Sequence, residues 1–481
     1  MKMTTGRAGS GRRPAMGPVL ATMGCLVTLA FVATTSPVGA QAMGSTTASG
    51  DTITLTLERA LDIAGQSNPA YRKAENNLDL NPVEMRSTWF DQILPSANLT
   101  LFSTSYTGNL THRGIDNFGN PIKNGDATWV YYSATQQQFS LNWSLRGNSL
   151  FHRYRSQKLT NQGRAVAADQ AVTTMQISVR RLYNDAMKQR ELLTAEENLV
   201  DARKLDKDVA DRLFGLALKT RIDVLNADLG IQRQMLTVQQ QQASYQKAIL
   251  ALRTQLGDDE LAPVRLGGEP LPIFDPSALD GDALVRRALD VNPGLRQAQV
   301  GVDQQRENVA QQNTLWWPTL QFNWTFGRTS QTNVFDVSYD EPMDSRYSIA
   351  LSFPMFNNFF QNRSQQAQAH IALRNQQEDE RQARLDLEQK VLGALLELKN
   401  QYQALQTNER AAQISQEALR LAREQYRLGT LTFADLQNTI NNEADSRRQV
   451  ITARYAFVDA LITLEESVGT TINPPSGPGG N

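Results

Sequence analysis

Cysteine is almost absent from this chain of 481 residues: Cys25 is the only one, too few for a disulfide framework or a cysteine-ligated metal site. Histidine is nearly as scarce. His112, His152 and His370 stand far apart, none with a partner at metal-ligand or catalytic spacing. His112 falls in a loop and the other two in long polar helices, where solvated surface positions are expected. No Gly-rich phosphate loop follows a strand and no nucleophile elbow is present, so neither an enzyme nor a cofactor site is expected. An excess of one charge is missing as well. The 48 Lys and Arg oppose 49 Asp and Glu, which argues against a nucleic-acid or polybasic membrane-surface partner. Beyond residue 42 there is no run of roughly 18 apolar residues, so no transmembrane helix is expected. If the mature chain enters a membrane, it must do so as a barrel.

The N-terminal segment differs from the rest. Arg7, Arg12 and Arg13 precede an almost wholly apolar Val19 to Val32, and Val38-Gly39-Ala40 and Ala40-Gln41-Ala42 end in small residues. This reads as a cleaved secretory signal over residues 1–42. The apolar stretch is shorter than a membrane span, and Cys25 follows a poor lipobox and leaves with the signal.

What remains is written twice. Ala60-Leu61-Asp62 with Asn68-Pro69 recurs as Ala288-Leu289-Asp290 with Asn292-Pro293. Leu94-Pro95 recurs as Trp317-Pro318, Thr220-Arg221-Ile222-Asp223 as Thr432-Phe433-Ala434-Asp435, and Leu256-Gly257 as Val468-Gly469. Each Asn-Pro suits an N-cap followed by proline at the first helical position. Pro95 and Pro318 stop those helices about 25 residues later. From about Asn148 to Phe214, and from about Asn358 to Leu428, there is no proline. Val391, Leu395, Leu398, Tyr402 and Leu405 recur there at coiled-coil spacing. Helices of that length reach roughly 100 Å and must pack along partner helices. Gly429 can end the second one in a left-handed turn, after which Thr432 and Asp435 form a capping box. Thr220 and Asp223 do the same in the first copy, with Ala217 in place of the glycine.

Four segments alternate with period two. Phe139, Leu141, Trp143 and Leu145 interleave with Ser140, Asn142 and Ser144. Leu320, Phe322, Trp324 and Phe326 interleave with Gln321, Asn323 and Thr325, and Tyr347, Ile349, Leu351 and Phe353 with Ser348, Ala350 and Ser352. Asn98 to Tyr106 alternates less cleanly. One aromatic and aliphatic face against one small, uncharged polar face is the membrane-barrel pattern. Phe139, Leu141, Trp143, Phe322, Trp324, Ile349, Leu351 and Phe353 are expected to face lipid. Asn142, Asn323 and Ser352 are expected to face the lumen. Gly-, Asn- and Asp-rich loops (about 108–128 and 328–345) join the paired strands. Four strands cannot close a barrel alone, so the chain must oligomerise, and the pattern permits a dimer or a trimer.

In this order and in duplicate, behind a signal peptide, these features resemble the TolC-type outer-membrane efflux protein family across essentially the whole mature chain. The residues carrying the resemblance are the paired Ala-Leu…Asn-Pro openings, Pro95 and Pro318, Ser352-Phe353-Pro354-Met355-Phe356, and the stretch from Tyr426 to Asp435. The resemblance implies a mainly α fold with a membrane β-barrel portion. It implies a homotrimer with a 12-stranded barrel in outer-membrane lipid and a long periplasmic coiled-coil α-barrel. A periplasmic adaptor and an inner-membrane pump are its implied partners, in tripartite efflux or type I secretion. Carried over by position, Asp435 falls on a ring of aspartates at the periplasmic entrance. Asn438 stands where the archetype has a second aspartate, and Leu431 where it has a gate-linking arginine. Tyr426 matches the tyrosine of that linkage, with Thr220 and Asp223 as its partners. In the first repeat Ser144-Leu145-Arg146-Gly147 stands where Pro354 would be matched, so Gly147 is expected to serve that swivel.

The expected layout is a first repeat over residues 43–263 with strands at about 96–107 and 130–146, and a connection over 264–280. A second repeat follows over 281–470, with strands at about 319–327 and 346–354, then a disordered tail over 471–481. The tips at Leu216, Ala217, Leu428, Gly429 and Thr430 are expected to touch the adaptor. A periplasmic coiled-coil scaffold without transport activity is the competing reading, and four strands with an uncharged, lipid-like face weigh against it.

Overall fold

The computed structural model describes residues 53–111, 120, 128–257, 264–268, 272–333, 341–353, 355 and 358–472. The expected signal segment with Cys25, His112, parts of both inter-strand loops, Pro354, Phe356 and the tail from residue 473 lie outside the described residues.

The first copy runs β1 (Ile53–Leu55), α1 (Leu57–Ser67), α2 (Pro69–Asn76), α3 (Leu80–Ile93), β2 (Ser96–Thr111), β3 (Thr128–Arg146), α4 (Ser149–Gly215) and α5 (Arg221–Leu256). The second runs β4 (Val264–Leu266), α6 (Gly281–Val291), α7 (Pro293–Asn313), β5 (Thr319–Asn333), β6 (Asp344–Ser352), α8 (Phe359–Arg427) and α9 (Phe433–Val468). With no proline to interrupt them, α4 and α8 reach 67 and 69 residues, each roughly 100 Å. Each turns back as an antiparallel hairpin, onto α5 and α9.

The Asn-Pro corners do more than start a helix. Asn68 accepts from the N–H groups of Ala70 and Tyr71 at 2.9 and 3.0 Å, while its amide donates to the Gln255 carbonyl at 2.5 Å. Asn292 repeats the arrangement with Gly294, Leu295 and the Ser467 carbonyl, at 2.9, 3.3 and 3.0 Å. One side chain thus caps a helix and holds the last turn of the hairpin's return helix. The helix that follows is continuous only in the second copy. In the first, a 3-10 turn over Asn77–Asp79 separates α2 from α3. Pro82 lies three residues into α3 and cannot donate back into the preceding turn, so the helix is re-started there rather than continued.

Among the described residues, buried side chains form three clusters. Val391, Leu395, Leu398 and Leu405 of the α8 seam are all buried, the first three beside Phe457, Leu461 and Leu464 of α9. Val179, Met187, Leu252 and Leu256 fill a second cluster under α1. The third lies at the hairpin tips.

The sheet is antiparallel throughout, in the order β2-β3-β5-β6. Phe139 pairs with Phe326, Leu141 with Trp324 and Trp143 with Phe322, and across the next pair Phe322 meets Ile349 and Leu320 meets Leu351. All therefore share one face. Asn142, Asn323 and Ser348 share the other. The untidy alternation of β2 has a local cause, a bulge between Thr100 and Ser103. It inserts one extra residue and reverses the phase, so that Leu99 but also Thr104 and Tyr106 lie on the aromatic face. β6 stops at Ser352, and Phe353 lies just past it, ahead of a proline that has no N–H for a ladder bond. Gly147 takes the chain out of β3 with φ +42°, and a Cβ there would sit 2.7 Å from the Trp317 ring. The three-residue parallel pair β1–β4, within which Thr54 meets Arg265, was not expected from the sequence.

Candidate functional site

Both long helices end in the same left-handed turn. Gly429 has φ +80° and Ala217 φ +59°, and the next residue's N–H reaches back to Gln425 at 3.0 Å and to Leu213 at 2.9 Å. Ala217 therefore adopts the glycine conformation despite its Cβ, at a cost of about 1–2 kcal/mol. The helix restarts differ in detail. Thr220 and Asp223 form a full capping box, Thr220 N–H donating to Asp223 Oδ2 at 3.0 Å and Asp223 N–H to Thr220 Oγ1 at 3.3 Å. At the second tip Asp435 N–H donates to Thr432 Oγ1 at 3.2 Å, and the Thr432 hydroxyl donates to the carboxylate at 2.6 Å, as that of Thr220 does to Asp223 at 2.9 Å. The Thr432 N–H does not reach the carboxylate, so the expected capping box is only half formed there.

The two tips are joined within the protomer. Lys219 Nζ donates to the Leu431 carbonyl at 2.7 Å and stands 4.7 Å above the Tyr426 ring. Tyr426 is 1% exposed and packs edge-on against Phe433 in a cluster with Leu213, Val224, Leu419 and Leu436. Burial, reinforced by the carboxylates of Asp223 and Asp206, pushes its phenol up to about 12. The hydroxyl is buried without a hydrogen-bond partner, so Tyr426 bonds neither Thr220 nor Asp223 here. Those two are engaged with each other. Above the tips, Arg423 grips Asp206 with two bonds of 3.1 and 3.0 Å. Higher still, the buried Glu196 accepts from Arg448 Nε and Gln234 Nε2, each at 2.5 Å. These cross-repeat contacts, Lys219 among them, were not anticipated. The contacts of Lys219, Arg423 and Arg448 each join residues more than 200 positions apart, and no local pattern announces them.

Of the remaining site candidates, Asp435 and Asn438 lie exposed on α9, turned away from the Tyr426 cluster. Leu216 and Leu428 are 69% and 78% exposed, and Thr430 is exposed beside them. Among the described residues no group of three or more His, Cys, Asp or Glu could hold a metal ion. His152 departs from the expected solvated position. Its Nδ1 lies 2.5 Å from the buried Glu307, whose other oxygen meets Arg155 at 3.2 Å, because α7 packs over the start of α4.

A duplicated unit of paired strands and long helical hairpins, with one aromatic sheet face, is the build of an outer-membrane channel with a helical tunnel. The profile of the outer membrane efflux protein family matches residues 284–470 of this chain. The chain is 23% identical to outer membrane protein TolC of Salmonella enteritidis over 414 residues, 84% of this chain and 80% of the relative. The match to TolC of Vibrio cholerae, also 23% identical, spans 191 residues, 39% of this chain and only 43% of that protein. Among solved structures, a membrane protein from Pseudomonas aeruginosa shares the fold with a TM-score of 0.68 at 15% identity, over 86% of this chain and 90% of that one. The CmeC outer membrane channel of Campylobacter jejuni does so at 0.66 and 13%, over 86% and 85%. These similarities support an outer-membrane location with a periplasmic helical portion, and the fold is one shared with outer-membrane channels.

Proposed function

We propose that this protein is the exit duct of a tripartite efflux pump or a type I secretion system. It acts as a homotrimer that passively conducts substrates from a periplasmic adaptor and an inner-membrane pump to the outside. Residues 43–263 and 281–470 are its two repeats, joined through 264–280. The observation that carries this reading is the four-stranded sheet with one aromatic face and two open edges, β2 and β6. An open edge cannot remain in lipid, and pairing β6 of one copy with β2 of the next is a head-to-tail contact that closes a ring. The helices support the same closure. Ile222, Leu229 and Leu236 on α5, and Ile414 and Leu421 on α8 with Leu428 just past its end, are exposed at seven-residue spacing. Each row is a coiled-coil seam with no partner in its own protomer, and α5 and α8 are the outer helices of the two hairpins.

In the ring, the Asp435 carboxylates converge at the periplasmic mouth. Like charges in a narrow mouth attract cations. With Asn438 and Leu431 uncharged, Asp435 supplies most of that charge. Trimers reconstituted in planar bilayers are expected to be cation-selective and to be blocked by multivalent cations from the periplasmic side. Asp435→Asn should keep a cap oxygen, leave the trimer intact and weaken block, while Asp223→Asn should leave block largely unchanged. Equal block of wild type and Asp435→Asn would reduce Asp435 to a helix cap. The tips are the adaptor contacts. Leu216→Asp changes a side chain that is 69% exposed and lies outside both seven-residue rows, so trimer yield should hold while co-purification of the adaptor is lost. Retained adaptor would remove the tips from the docking surface.

A further inference from the structure

The aromatic face of the sheet is short. Along β3 it runs through Leu145, Trp143, Leu141 and Phe139 and then changes to Gln137, Thr135 and Ser133; along β5 it runs from Leu320 to Phe326 and changes to Arg328, Ser330 and Thr332. Both strands change at one level, because Phe139 pairs with Phe326 and Gln137 with Arg328. Above that level the face is a polar belt. Arg328 Nε donates to Gln137 Oε1 at 2.9 Å, and the hydroxyls of Thr104 and Thr135, and of Ser133 and Thr332, meet at 3.1 and 2.9 Å. Six residue steps cover about 20 Å along a strand, or about 15 Å of height at barrel tilts near 40°. The apolar band of a membrane barrel is about 25 Å tall. About 10 Å is missing.

The missing height lies below the strands. None of the residues of α3 is buried, and at its C-terminal end Trp89, Phe90 and Ile93 are 54%, 57% and 50% exposed, within an arc of about 100° on one side of the helix. Trp317, Phe353 and Phe360 are 50%, 62% and 85% exposed just outside the ends of β5 and β6. All six fall within about two helical turns of a strand end, roughly 11 Å. They continue the sheet face: Trp143 Nε1 donates to the Gln92 carbonyl at 3.2 Å, which ties the end of α3 to the lowest aromatic of β3. A higher bilayer, bounded above by the stacked Trp129 and Tyr131 rings, would place Arg328 inside the apolar band, where a cation costs most.

We propose that the bilayer sits low on this protein, so that the ends of its helices complete the lipid-facing band. Trp89, Phe90, Ile93, Trp317, Phe353 and Phe360 lie against the acyl and headgroup boundary of the periplasm-facing leaflet, and the Gln137–Arg328 belt marks the outer limit of the band. This rests on the barrel reading given under the proposed function.

The test is nitroxide labelling of the assembled protein in phosphatidylcholine vesicles, at Phe90→Cys, Phe360→Cys, Tyr131→Cys and Ile349→Cys. The unsubstituted protein sets the background, since its sequence holds only Cys25. Collision with lipid-soluble oxygen and with a water-soluble nickel chelate is read at each site. Labels at 90, 360 and 349 are expected to meet oxygen several-fold more than nickel, and the label at 131 the reverse. Nickel preference at 90 and 360 with oxygen preference at 131 would place the bilayer high and overturn the inference. Shielding from both reagents at 90 and 360 would overturn it too, by assigning those side chains to a second copy. If the label at 349 itself prefers nickel, the barrel reading fails, an outcome distinct from failure at the helix ends alone.

Discussion

Leu351→Arg is expected to abolish most of the assembled, heat-resistant trimer, whereas Ser352→Arg one residue away should leave it. Leu351 pairs with Leu320 on the aromatic face and is 60% exposed. Ser352 pairs with Thr319 on the polar face. An Arg in lipid near the midplane costs about 2–4 kcal/mol, falling to about 0–1 near the interfaces. A low bilayer puts Leu351 near mid-height, because roughly 15 Å of apolar strand lies above it and roughly 10 Å of apolar helix end below. Three copies per trimer then lose about 6–12 kcal/mol, comparable with the whole stability of an ordinary domain. An Arg at 352 faces water and meets only the screened charge of Arg146, whose guanidinium bonds Thr319 at 3.1 Å. The assay is trimer abundance in outer-membrane extracts on unheated gels. Equal losses from the two substitutions would mean that the faces are assigned wrongly.

Much of the fold was legible because its signals are local. A proline-free stretch can only announce where a helix is not broken, and α4 and α8 begin and end within a residue or two of those stretches. Thr220 and Thr432 announce helix starts because the cap bonds reach only three residues ahead. Where a signal is non-local, the reading failed or fell silent. Leu101 and Phe102 blur the pattern of β2, since a bulge is decided by the partner strand as much as by the bulged one. His152 sits in a polar stretch that reads as solvated, yet its partner is Glu307, on another helix 155 residues away.

The tips show the same division. The turn residues were readable one by one, whereas what joins the two turns was not. Lys219 is one of many surface-type lysines in the sequence, and the Leu431 carbonyl it binds is a backbone group that any residue would provide. The unbonded Tyr426 hydroxyl is likewise a fact of packing: it is buried because Phe433 and Leu436 close over it from the next helix.

The four left-handed positions of the hairpins carry the second large effect, graded in a way the sequence cannot show. Gly257, Gly469 and Gly429 have φ values of +72°, +84° and +80°, so an alanine at any of them costs about 1–2 kcal/mol in backbone strain. Ala217 shows that a tip bears that cost. The surroundings differ. A Cβ at Gly429 meets nothing within 4 Å, and one at Gly469 stands 3.3 Å from Asn292 Cα. At Gly257 it would stand 2.3 Å from the Ser67 carbonyl oxygen, a backbone atom that cannot swing aside. Moving it would disturb Asn68, next in sequence, whose amide holds the Gln255 carbonyl and whose oxygen caps α2. That overlap adds about 1–3 kcal/mol. Gly257→Ala should therefore destabilise each chain by about 2–5 kcal/mol, Gly469→Ala by less, and Gly429→Ala by the strain alone. Thermal unfolding of the purified trimers, followed by loss of helical circular dichroism, should rank them in that order. A Gly429→Ala loss as large as that of Gly257→Ala would show that the left-handed backbone, and not the contact with Ser67, governs the cost.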